Sequence, residues 1–182
     1  QSCNCNAVIV EMTKRADAYF NSTVLPRATN ITPDAGYDPL GDIITKAHAR
    51  GMEVHAWVVV NRTWTSQTAP PHTTPDHVFN THQDWFSKTD TGVMYDVDDG
   101  SWLDPGVPAV EDWQKSAFME MVQNYDIDGL CMDYIRYSDN SWGYNTTAVG
   151  RYNAEFGLSG TPLKSDARWA DWRRDQVTNV VK

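Results

Sequence analysis

The chain has 182 residues, 41% of them hydrophobic and 12% aromatic, enough to bury the core of one ordinary domain, which excludes a disordered or low-complexity segment. Its 24 acidic side chains against 15 basic ones give a formal charge of -9, a field that repels nucleic acid and anionic membrane surfaces and leaves neutral or amino-bearing polymers as partners. The absence of any run of about 18 apolar residues excludes a membrane-spanning helix.

The chain opens on Gln1 without a methionine, as expected of a processed or truncated product. Three cysteines, Cys3 and Cys5 in a Cys-x-Cys and Cys131 further on, fit no closed disulfide set, and Cys131 reads as a small buried apolar residue. Ala7 to Met12 is an apolar run long enough for a buried strand and too short for a helix. Alternation puts Val8, Val10 and Met12 on one face and Ile9 and Glu11 on the other, so Glu11 is an inward carboxylate near a strand end. A loop with Arg15, Asp17 and Tyr19 follows, then an irregular Pro-, Thr- and Asn-rich stretch to Tyr37. Asp38-Pro39 opens a helix with an N-cap acid and a proline at the first position, and Gly51 closes it. Glu53 to Val60 is a second strand, with His55, Trp57 and Val59 sharing one face and Asn61-Arg62 at its tip. Two strands joined by a helix predict a right-handed parallel βαβ unit.

Thr63 to Val107 is too long for a plain connection and is expected to carry function. Short helical pieces are predicted near Pro75 to Asn80 and His82 to Phe86, and Trp102 to Gly106 reads as a brief strand-like return toward the same end of the sheet. Asp96-Val97-Asp98-Asp99-Gly100 lacks the distal Glu of a calcium loop and reads as a solvated turn, so no metal or other cofactor is expected. Pro108 to Tyr125 has the strongest helical periodicity, through Val110, Trp113, Ala117, Phe118, Met121 and Val122. Asp128 to Tyr137 then forms a short strand whose tip is polar and aromatic. Alternation sets Leu130 and Met132 against Gly129, Cys131 and Asp133, so Asp133 points inward, where a carboxylate is costly unless used or paired. Helices over Thr146 to Phe156 and Asp166 to Val181 complete the order. Trp113, Trp169 and Trp172 read as core. The alternation indicates an α/β architecture with a parallel sheet.

Four stretches, in this order, resemble the glycosyl hydrolase-like proteins of family ten, secreted or lipoprotein relatives of TIM-barrel glycosidases. They are Asp17-Ala18-Tyr19; Tyr37-Asp38-Pro39-Leu40 through Ala47-His48-Ala49-Arg50-Gly51-Met52-Glu53-Val54-His55-Ala56-Trp57; Trp102-Leu103-Asp104-Pro105-Gly106-Val107-Pro108; and Tyr125 to Gly129 through Asp133-Tyr134-Ile135-Arg136-Tyr137. The closing Trp172-Arg173-Arg174-Asp175 is similar to a family helix as well. The resemblance implies part of a (β/α)8 barrel, roughly strands two to four, in one domain over 1–182 that is incomplete at both ends. It also implies action on a polysaccharide such as a peptidoglycan glycan strand, a secreted, extracellular or periplasmic location, and a central catalytic role for Asp133. Glu11 and Thr13 stand where members often have Gln and Arg, and Tyr134 where many have a second Asp.

Glycosidic hydrolysis uses two carboxyl groups, about 5–5.5 Å apart for retention and about 6.5–9.5 Å for inversion. Asp133 is assigned the nucleophile or base role, with Arg136 expected nearby to keep it ionised, and Glu11 and Asp104 are the candidate partner acids. Asp17, Tyr19, His55, Trp57, Asn61, Arg62, Tyr134, Arg136 and Tyr137 are candidate saccharide contacts. Sequons at Asn21, Asn30, Asn61 and Asn145 are N-glycan sites if the source glycosylates. Two further readings stand beside the hydrolase: a module that binds carbohydrate without turnover, and an assembly unit whose open sheet edges pair with another chain or with missing parts of the same barrel.

Overall fold

The computed structural model describes residues 4–31 and 36–182; Cys3 and the centre of the irregular stretch before Tyr37 lie outside them. Three strands, β1 (Ala7–Thr13), β2 (Glu53–Val59) and β5 (Gly129–Asp133), make one parallel sheet in the order β1-β2-β5. Each is followed by helix: α1 (Pro39–His48) after β1, α3 (Pro108–Asn124) before β5, and α4 (Thr146–Phe156) and α5 (Ala167–Val180) after it. Between β2 and α3 run a two-stranded antiparallel pair, β3 (Arg62–Trp64) with β4 (Ser101–Trp102), and a short helix α2 (Val78–Thr81). A run of parallel strands covered on one face by helices is a segment of a (β/α)8 barrel.

The even-numbered residues of the strands do the packing. Val54, Ala56 and Val58 are fully buried, and with Val8, Val10, Met12, Leu130 and Met132 they meet Leu40, Ile44 and Ala47 of α1 and Ala117 and Met121 of α3. The opposite face is open toward the amino end, where Ile9 is 62% exposed, and closes toward the carboxyl end, where Val59, the register partner of Asp133, is 6% exposed. Cys131 lies on that same face and is exposed, which corrects its expected burial, because alternation places it beside Asp133.

Acids fasten the segments at the two ends of the sheet. At the amino end, Asp128 Oδ2 accepts the Val54 N–H (2.8 Å) and meets His48 Nε2 (2.9 Å), and these contacts hold its carboxyl below the usual range. Beside it the His55 ring lies over Gly129, where a Cβ would come within 2.3 Å of Nδ1, so β2 and β5 pass closely only because residue 129 has no side chain. Asp38 caps α1 through the Gly41 N–H and also accepts from the Tyr125 hydroxyl (2.9 Å) and Asn21 Nδ2 (3.2 Å).

The expected periodicity of α3 holds with two exchanges. Val122 is 50% exposed, whereas Gln114, a polar residue four positions after Val110, is buried at 2%. Its amide donates to the Val60 carbonyl (2.9 Å) and to Asn61 Oδ1 (3.0 Å), closing the carboxyl end of β2. Tyr144, Tyr152, Trp169 and Trp172 form a separate aromatic core under α4 and α5. Because Asp38 serves three donors, Asp38→Ala should destabilise the fold by about 1–2 kcal/mol, the upper range of a lost cap, and Asp38→Asn by much less; urea unfolding midpoints measure the difference.

Candidate functional site

The parallel register decides which side chains meet. Glu11 pairs with Trp57 and Trp57 with Cys131, while Val59 pairs with Asp133. Neighbours in register share a face, so Glu11, Trp57, Cys131 and Asp133 all stand on the face away from α1 and α3. Asp133 is the last residue of β5, at the carboxyl end of the sheet, half-buried. Its Oδ2 accepts the Trp57 indole N–H (3.2 Å) and its Oδ1 the backbone N–H of Tyr134 (2.7 Å).

The chain turns sharply after Asp133. Tyr134 has a φ of 55°, in the left-handed region that a bulky residue enters at a cost of about 1–2 kcal/mol. Its ring is held by its neighbours: the Arg62 and Arg136 guanidiniums each lie 5.4 Å from its centroid, and Trp102 packs against it at 5.5 Å. Arg136 also lies 4.6 Å over the Trp102 ring. Arg62 is anchored by Asp99, through its Oδ1 (3.2 Å) and its carbonyl (2.9 Å), and Asp99 also accepts from the Ser138 hydroxyl. Such cation–ring contacts contribute about 0.5–1 kcal/mol each at exposed sites and more when desolvated. Together they offset the cost of the left-handed turn.

Arg136 differs from its expected role. Rather than pairing with Asp133, it donates from Nη1 to the carbonyls of Tyr137 (3.0 Å) and Ser138 (2.6 Å) while its plane stacks on the two rings. Asn61 is fully buried, which removes it from any saccharide surface: its Nδ2 donates to the Arg136 carbonyl (3.2 Å), its Oδ1 accepts from Gln114, and its carbonyl accepts from Leu103 N–H. That burial also removes it as a glycan acceptor. Asn145, 2% exposed, is removed in the same way, because its Nδ2 is spent on the carbonyls of Asp84 and Phe86 and its Oδ1 caps α4. Asn21 and Asn30 stay at the surface.

Asp104 is sealed inside the loop before α3. It has no exposed surface, its Oδ1 accepts from Gly106 N–H (2.8 Å) and the Tyr137 hydroxyl (3.3 Å), and the Ser87 side chain and Asn145 backbone also act on the carboxyl. Burial pushes its carboxyl up to about 6, against the pull of the Gly106 amide. The Asp-Pro-Gly turn thus makes Asp104 a structural acid rather than a group in the cleft. The Tyr137 hydroxyl, bonded to it, is turned inward and burial raises it well above the ordinary range, while the residue as a whole is half-buried.

The remaining candidates fall at distinct places. Glu11 forms an ion pair with Lys14 (3.4 Å) and keeps part of its surface open. Two strand spacings and two residues of rise put its Cα about 12 Å from that of Asp133. His55 lies deeper on the same face, toward the amino end, bonded to Glu53 (3.0 Å). Asp17 is buried in its own loop, accepting from Arg15 N–H (3.0 Å), and the Tyr19 hydroxyl donates to Asn30 (2.9 Å). Neither joins the cluster around Asp133. Trp102, Asp99 and Gln114 belong to the site's framework and were not singled out as site residues from the sequence. Trp102 opens the Trp-Leu-Asp-Pro-Gly motif, and Gln114 is a lone polar residue on an apolar helical stripe. The Asp96–Gly100 acids make a turn in which Asp96 Oδ1 accepts from Asp98 and Asp99 N–H. A concavity of about 480 Å³ lies behind the rim between α5 and the 136–140 loop; Arg136 and Tyr137 line it and Asp133 does not.

The family model described as Glycosyl hydrolase-like 10 matches residues 1–182. The chain is 31% identical over its whole length to glycosyl hydrolase YngK of Bacillus subtilis and 28% identical to glycosyl hydrolase DigH of Escherichia coli K12. It spans 34% and 40% of those two proteins. Among solved structures, 97% of the chain superposes on 25% of alpha-L-fucosidase isoenzyme 2 from Paenibacillus thiaminolyticus with a TM-score of 0.67 at 18% identity. The same share superposes on 77% of a hypothetical protein from Ruminiclostridium thermocellum with a TM-score of 0.61 at 15% identity. At those identities the likeness is one of fold.

The Asp104 environment yields a signed pH dependence. Its folded pKa is raised above the ordinary 3.8, so the folded chain holds this proton more tightly than the unfolded one. The resulting stability is fully present below about pH 4 and is lost as pH rises through about 6. Asp104→Asn, which keeps the shape without the buried charge, should therefore raise the melting temperature relative to the parent at pH 7.5. The two should converge below pH 4, as paired thermal melts across pH would record.

Proposed function

The chain belongs to the glycosyl hydrolase-like 10 family, and from that premise we propose that it hydrolyses glycosidic bonds of a polysaccharide, such as a peptidoglycan glycan strand, with Asp133 as nucleophile or base. The observation that carries this reading is the placement of Asp133: an ionisable, half-buried group at the carboxyl end of a barrel strand, on the face away from α1 and α3, with both oxygens held by donors. Catalytic groups of barrel enzymes come from strand ends at that face. An inward carboxylate that serves only the fold is expected to be sealed among partners, as Asp104 is.

The same reading assigns the sugar to the face on which Asp133 stands, above Trp57 and beside the Arg62–Tyr134–Arg136 rim. Of the two partner acids considered within the chain, Asp104 is withdrawn by burial. Glu11 remains on the same strand face as Asp133 and is the partner acid kept within the chain. A secreted, extracellular or periplasmic location belongs to the same proposal, supported by the two sequons that stay at the surface.

Release of reducing ends from peptidoglycan glycan strands and other polysaccharides tests the reading in the full chain. Asp133→Asn should lower turnover by roughly 10²–10⁴-fold with unchanged melting behaviour, and Asp104→Asn should keep it within a few fold. Binding of glycan without cleavage by the parent protein would instead favour the carbohydrate-binding module.

A further inference from the structure

The Trp57 indole and the clamped backbone of Tyr134 hold the two oxygens of Asp133 from different directions. Trp57 reaches Oδ2 from the neighbouring strand, two register positions below, so this contact needs no movement of a loop. Tyr134 reaches Oδ1 from the next residue in the chain, through the peptide it shares with Asp133, and the backbone beyond that amide turns with a left-handed φ of 55°. That conformation would relax in a free loop. Here the ring is gripped by two guanidiniums and Trp102, one of the guanidiniums tied to Asp99 and the other to two loop carbonyls.

Two donors at fixed angles leave the carboxylate one preferred rotation about its terminal torsion, which is otherwise broad. A carboxylate free to rotate would present its lone pairs to a bound sugar only part of the time, and reaction geometry tolerates little misplacement.

We propose that Trp57 is a positioning residue for Asp133, fixing through its indole N–H the plane in which the carboxylate meets the saccharide, with the Arg62–Tyr134–Arg136 stack holding the opposing amide. This rests on the hydrolase reading of Asp133 and assigns Trp57 a task in addition to lying under a sugar. The two tasks differ in what a shape-conserving change does. Trp57→Phe keeps an aromatic face and loses the donor; Trp57→His restores a ring N–H at a similar reach.

Steady-state kinetics in the full chain and the indole ¹H resonance of Trp57 test the proposal together. Trp57→Phe should lower kcat by about 10- to 100-fold, the worth of a hydrogen bond to a charged group, with KM within about twofold, as for an interaction used after binding, and Trp57→His should recover part of the loss. In Asp133→Asn the Trp57 indole resonance should move upfield as its charged acceptor disappears. A rise in KM at unchanged kcat, or an indole resonance indifferent to Asp133→Asn, overturns the proposal. If the parent protein releases no reducing ends, the hydrolase reading fails, and the resonance alone decides whether Trp57 holds the carboxylate.

Discussion

The register of three parallel strands is the constraint on which the rest depends. Pairing Glu11 with Trp57, Trp57 with Cys131 and Val59 with Asp133 fixes, through the two-residue period of a strand, that these side chains stand on one face, up to the register shift that pairs Thr13 with Val58. A slip of one residue would send Asp133 beneath α1 and α3 and turn Val54, Val58 and Met132 to solvent. The buried apolar set excludes that slip more firmly than any polar contact does. Full burial of a Val- or Leu-sized side chain is worth about 1.5–3 kcal/mol, and Leu40, Val54, Val58 and Met121 all reach it. The geometry around Asp133 is therefore a by-product of core packing on the other side of the sheet.

Two aspartates in motifs of similar appearance receive opposite treatment. Asp104 is buried without charge compensation and its carboxyl is pushed up to about 6. Asp133, half-buried on the face away from α1 and α3, is met by an indole N–H and a backbone amide. Cost is shared differently as well. The Asp104 turn concentrates a carboxyl where no solvent reaches, whereas the Asp133 turn places its strain in the Tyr134 backbone and offsets it with arginines over the ring. Strained backbone next to a held polar group is a common arrangement at functional sites. The buried Asp104–Tyr137 bond ties the loop after β5 to the loop before α3, so the buried acid helps to place the rim beside Asp133.

Much of this was legible in the sequence where a single period governs. The alternation read over Ala7 to Met12, Glu53 to Val60 and Asp128 to Tyr137 located the three strands, the last of which ends at Asp133 where the chain turns, and Asp38-Pro39 marked the start of α1. Tertiary contacts decided the rest. Nothing local to Asn61 announces that Gln114, Leu103 and Arg136 will converge on it from three other segments. The position of Arg136 three residues after Asp133 suggested an ion pair, but the left-handed turn at Tyr134 redirects it onto Trp102, and a positive φ at a tyrosine has no sequence signature. Cys131 read as apolar and buried by residue type, and it is exposed because the face it shares with Asp133 is the one away from the helices.

The central claim is that the Asp133 carboxylate faces a saccharide on the side of the sheet away from α1 and α3. A crystal structure of the Asp133→Asn protein with a bound oligosaccharide tests it most directly. The account predicts a sugar ring over Trp57, with its scissile linkage in hydrogen-bonding reach of the residue 133 side chain. An oligosaccharide ordered elsewhere, with residue 133 turned from it, would contradict the account.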